Sequence, residues 1–145
     1  MMTEYSGAAA AAVLLAANSV VDIRSRKIAL LPTLAALGTA AALRIGSGSG
    51  ALLTAARLTS SAMCGIVLLA ASAASGGRIG AGDGILMLAV GVMTDGAQAA
   101  ATLFFGLASV LMWALLQRLR KTPQKEVPFV PFLFAGFLIQ RSLFT

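Results

Sequence analysis

The chain has 145 residues, of which 59% are hydrophobic and 11% charged, and its apolar runs are hydrophobic all round, which sets it apart from soluble domains. The net charge of +6 is spread through short gaps between those runs, the pattern of topology signals, so the lipid bilayer is the expected partner and nucleic acid is not. With no histidine and one cysteine, the chain has no means of Ser-His-Asp or Cys-His catalysis, of a Cys-x-x-Cys zinc site or of an intramolecular disulfide.

The first apolar run covers residues 5 to 23. It follows Met-Met-Thr-Glu, which lacks the basic start of a secretory signal, and reads as a retained span. The second covers residues 28 to 43, and Gly-Ser-Gly-Ser-Gly at 46–50 is a flexible connection. The third covers residues 58 to 74, or starts nearer Ala51 with Arg57 snorkelling outward. Cys64 lies within it as a small packing residue. Residues 76–84 are glycine-rich. The fourth run ends at the turn Thr94-Asp95-Gly96 and reaches useful length only if it starts near Ile79, which draws Asp83 into the membrane edge. The fifth covers residues 97 to 116, a basic segment fills 117–126, and the sixth covers 127 to 143 with Pro128 and Pro131 near its first turn.

This pattern predicts an all-α polytopic membrane helix bundle of about six transmembrane helices, residues 1–145 forming one membrane-embedded domain. Six spans put Arg24, Arg26, Lys27, Arg78, Arg118, Arg120, Lys121 and Lys125 on one side, eight of the eleven basic residues. Arg44, Arg57 and Arg141 fall on the other. The richer side is expected to be cytoplasmic, which leaves both termini outside.

With the other catalytic groups excluded, chemistry falls to carboxylates, Lys, Arg, Tyr or hydroxyls, and only five residues are acidic. Glu4, Asp95 and Glu126 lie in a terminus or in loops and read as solvated. Asp22 ends the first span and Asp83 begins the fourth. An even number of spans separates them, so the two carboxylates can meet at one membrane depth. Ionisable residues within spans are costly and are functional candidates by default. Two carboxylates a few ångströms apart tend to share one proton, so one can act as base on a water while the other donates to a scissile carbonyl oxygen. This chemistry requires no metal and no cofactor. The competing reading pairs Asp22 with Arg24 or Arg26, and Asp83 with Arg78. Asn18 and Ser19, up to one turn before Asp22, are within reach of it, packing between helices being their other role. Gly80, Gly82 and Gly84 flank Asp83 and would let an extended substrate backbone approach it; loop flexibility and helix packing are the other readings of these glycines.

Three segments together resemble the prepilin peptidase family, the type IV leader peptidases among the GxGD membrane aspartic proteases. They are Asp22-Ile23-Arg24-Ser25-Arg26-Lys27-Ile28, the Gly80-Ala81-Gly82-Asp83 motif, and Pro128-Phe129-Val130-Pro131-Phe132-Leu133 with Gly136. The resemblance implies a catalytic pair on Asp22 and Asp83, with Arg24, Arg26, Arg78, Pro128, Pro131 and the motif glycines in support or in substrate binding. It implies removal of the basic leader from prepilin or pseudopilin substrates at the cytoplasmic face of the cell membrane. The chain departs from the family pattern at Ala29 and Leu30, where Pro-Asn is frequent, and at Ile85, where Lys is frequent. With one cysteine it has no counterpart of the zinc-binding segment of larger members, and no methyltransferase activity is expected. The alternative is a non-enzymatic membrane protein, either a scaffold or a small transporter.

Overall fold

The computed structural model describes residues 2–25, 28–46, 50–76, 80–120 and 127–144. These residues form six α-helices and no strand: α1 (Met2–Ser25), α2 (Leu30–Gly46), α3 (Ala51–Ala74), α4 (Ala81–Met93), α5 (Gly96–Leu119) and α6 (Val130–Phe144). Ser6–Ser25, Leu52–Ala74 and Gly96–Leu119 are long and apolar enough to cross a membrane, while α2, α4 and α6 are shorter apolar helices.

The bundle is apolar outside and partly polar within. Leu31, Leu52, Met63, Val67, Phe104, Leu111 and Leu119 point outward, whereas Asn18, Ser19, Thr33, Ser61, Ser72, Thr102 and Gln140 are buried. In water such an arrangement would forfeit the hydrophobic driving force, but in lipid it is the stable one, because polar groups seek each other inside the protein. The three long apolar helices and this distribution make the chain a membrane protein.

Helix α4 is the centre of the bundle, packed against α1, α2, α3 and α5, and Leu86, Met87, Ala89 and Val90 on it are fully buried. Close approach depends on glycine. A side chain at Gly7 of α1 would run into the Met93 carbonyl at the far end of α4, and one at Gly91 into the Ser61 carbonyl of α3. A Cβ at Gly136 of α6 would stand 2.5 Å from the main-chain nitrogen of Gly106 on α5. These contacts fix an alternating up-and-down order. The C-terminal ends of α1, α3 and α5 therefore share one end of the bundle with the N-terminal ends of α2, α4 and α6.

The third helix starts at Ala51, the earlier of the two starts expected, because the exposed Arg57 does not interrupt it. It stops at a left-handed Gly76 (φ 63°) whose N–H bonds the Ala73 carbonyl at 3.3 Å, a conformation that glycine adopts without a Cβ clash. The glycine-rich stretch is only partly a loop, since residues from Ala81 onward are already helical. Asp95 is not simply a solvated loop residue. Its Oδ1 accepts the Gln98 N–H at 2.8 Å and caps α5. At the same end, Arg44 donates to the Thr94 carbonyl, tying the C-terminus of α2 to that of α4.

Candidate active site

Asp22 lies on the last turn of α1 and is only 8% exposed. Its Oδ2 accepts the main-chain N–H of Val130 at 3.1 Å, across 108 residues of sequence. The proline-phenylalanine segment explains this contact. A helix begins with main-chain donors that have no partner inside it, and a side chain just before the first turn normally supplies the acceptor. Phe129 occupies that place and has no side-chain acceptor. Its carbonyl takes the N–H groups of Phe132 (3.1 Å) and Leu133 (3.2 Å), Pro131 has no N–H, and Val130 is left with a buried donor. Asp22 caps α6 from another helix.

Asp83 is in the first turn of α4, its N–H bonded to the Gly80 carbonyl at 3.1 Å. Its carboxylate folds back over Gly80, where an added Cβ would sit 3.1 Å from Oδ2. The charge of Asp22 acts on Asp83, so the two carboxylates belong to one electrostatic site. Among the described residues, the carboxylate of Asp83 has no fixed donor comparable to Val130.

One turn before Asp22, Asn18 is 1% exposed and makes three contacts. Its Nδ2 donates to the Leu14 carbonyl (3.0 Å) and to Thr33 Oγ1 (3.3 Å), and its Oδ1 accepts the Ala29 N–H (3.0 Å). Thr33 Oγ1 in turn donates to the Ala29 carbonyl at 2.8 Å. This network holds the start of α2 against α1 and places Ile28 on Gly82, where a Cβ would be 3.0 Å from Ile28 Cδ1. Neither Asn18 nor Ser19 bonds Asp22; Ser19 Oγ donates to the Leu15 carbonyl at 2.7 Å. The polar network was missed in the sequence, although an asparagine and a threonine inside apolar runs were its signal. It also accounts for Ala29. A proline there would have no N–H, and in this chain Asn18 accepts the one that alanine supplies.

The motif glycines divide by role. Gly80 leaves room for the Asp83 carboxylate and is exposed, while Gly82 packs on Ile28. Gly84 is buried, with Leu69 Cγ of α3 only 2.7 Å from where its Cβ would be, so it serves helix packing and does not open onto a substrate. Arg24 is exposed, and the hydrogen bond to Asp22 comes from Val130 instead. Pro128 and Pro131 are partly buried beside that bond. Arg26 and Arg78 lie outside the described residues. Among the described residues no cluster of three metal-ligating side chains forms. Comparison of the chain with protein-family models, with curated proteins and with solved structures finds no match.

Proposed function

We propose that the chain is a membrane aspartic endopeptidase of the prepilin peptidase type, crossing the bilayer six times with its site at the cytoplasmic face. The observation that carries this reading is the pairing of Asp22 and Asp83, brought from α1 and α4 to one end of the bundle within each other's field. Arg24, Arg118 and Arg120 end helices at that same end, in line with a cytoplasmic side. The 13 residues of α4 rise roughly 20 Å at ~1.5 Å each, against a hydrocarbon core of ~30 Å. Centred in the bilayer, α4 would end about 5 Å short of each surface, which puts Asp83 at the membrane edge in a helix that other helices shield from lipid.

When the two carboxylates approach around a substrate, their like charges favour a state with one proton between them. One carboxylate draws a proton from water as its oxygen attacks the scissile carbonyl carbon, and the other protonates the carbonyl oxygen. The substrate is a prepilin-like protein whose basic leader is drawn to anionic headgroups beside the site. One observation favours a second reading. The bond from Val130 gives Asp22 a complete structural role as a helix cap, and an inactive scaffold would keep it.

The test is cleavage of a prepilin from the same genome by purified protein in liposomes, beside D22N and D83N. Loss of cleavage in both variants with folding intact supports the peptidase. Asp83→Asn is the sharper variant, because among the described residues Asp83 caps no other helix. Cleavage that survives both substitutions refutes the dyad, and no cleavage by the unaltered protein favours the scaffold.

A further inference from the structure

The two carboxylates are not equivalent. Asp22 is almost fully enclosed and is met by a main-chain donor at the start of α6. Asp83 is half-buried and faces the space left by Gly80. Each also lies at the positive end of a helix, Asp22 at α6 and Asp83 in the first turn of its own α4. Asp22 also lies on the last turn of α1, whose negative end opposes its charge, so the helix fields do not favour Asp22 over Asp83. The deeper burial of Asp22 acts against its charge as well, so the fixed hydrogen bond is the feature that favours its ionised form. A buried carboxylate that accepts an N–H is stabilised in its charged form, whereas a carboxyl without such a donor holds a shared proton at lower cost.

We propose that the Val130 N–H, acting as a positioning group, divides the roles of the dyad: Asp22 is the ionised carboxylate and Asp83 holds the proton. This deepens the peptidase reading and rests on it for its catalytic meaning. In the first step Asp22 takes a proton from water, the water oxygen bonds the carbonyl carbon, and Asp83 gives its proton to the carbonyl oxygen. In the second step the carbon–nitrogen bond breaks, the proton on Asp22 passes to the departing amine, and a hydroxyl proton of the intermediate returns to Asp83. The site ends as it began, with one proton on Asp83.

Asp22 and Asp83 can be distinguished chemically without a substrate. A diazoacetyl ester esterifies a protonated carboxyl, and an epoxide alkylates an ionised carboxylate. The full chain in detergent is treated with each reagent at neutral pH, and the modified residues are mapped by mass spectrometry. The expected result is diazo labelling at Asp83 and epoxide labelling at Asp22, each preferred at least about tenfold, a ratio within reach of a hydrogen bond to a charged group. Replacing the residue 130 amide by an ester removes only the donor and should collapse that preference. Val130→Pro deletes the same N–H at a helix position that accepts proline, and serves if the ester variant does not fold. Reversed labelling, equal labelling of both residues, failure of both reagents to react, or a preference unchanged by either variant overturns the proposal. Since labelling needs no cleavage, an inactive protein with the expected pattern would refute the peptidase and leave the asymmetry standing.

Discussion

Gly136→Ala tests the joint that holds α6 in place. A Cβ at this position would stand 2.5 Å from Gly106 N, 2.6 Å from the Thr102 carbonyl oxygen and 2.9 Å from Gly106 Cα. All are main-chain atoms of α5 and cannot rotate away. Ordinary carbon contacts lie at ~3.5–4.0 Å, so the helices must part by roughly 1 Å. Overpacking of this kind costs about 1–3 kcal/mol, and a clash with backbone belongs to the upper half of that range. The helix preference of alanine over glycine returns about 1 kcal/mol, leaving a net loss of about 1–2 kcal/mol. Gly38→Ala is the control, because nothing lies within 4 Å of a Cβ there and only the gain of about 1 kcal/mol remains. Unfolding in mixed micelles of rising SDS fraction, followed by far-UV circular dichroism and the fluorescence of Trp113, compares the two. Trp113 is the only tryptophan, and its ring lies 6.2 Å from Phe132 of α6, so it reports on the same joint. A Gly136→Ala protein as stable as Gly38→Ala would refute the close α5–α6 crossing.

Two further outcomes follow from buried polar groups. Asn18→Ala should cost about 1–3 kcal/mol in the same assay by leaving the Ala29 N–H without its acceptor. In that background Ala29→Pro should be milder than in the unaltered protein, by about 1 kcal/mol in a double-mutant cycle, and strict additivity would sink the pairing. Thr102 is fully buried and its hydroxyl has no partner among the described residues, so Thr102→Val should be neutral or stabilising by up to about 1 kcal/mol. A clear loss of stability in Thr102→Val would show that the hydroxyl is bonded.

The helical bundle was legible because lipid imposes one rule on every exposed residue. Runs without charge mark α1, α3 and α5, and glycines and turns mark the ends of α4. Asp22 and Asp83 stood out for the same reason, as carboxylates at the edge of apolar runs. What joins them to the rest was not legible. The Asp22–Val130 bond depends on a main-chain N–H, which every residue but proline has and which sequence therefore cannot single out. Gly84 and Gly136 read as motif residues, yet their surroundings are set by Leu69 and Gly106 on other helices. The start of α6 at Val130, three residues later than the apolar run begins, follows from Pro128 and from the Phe129 carbonyl that opens the helix.

The tie between Asp22 and Val130 also bears on biogenesis. Chain growth at ~5–20 residues per second leaves roughly 5 to 20 seconds between the appearance of the aspartate and that of its donor. During that interval the carboxylate is present but its cap is not, and neither is the helix that encloses it. The surroundings of Asp22 are completed by α6, so a nascent or truncated chain ending before residue 130 would carry both aspartates without the donor that caps Asp22. Docking of α6 would thus fix the final environment of Asp22 only after α1 and α4 can already have met.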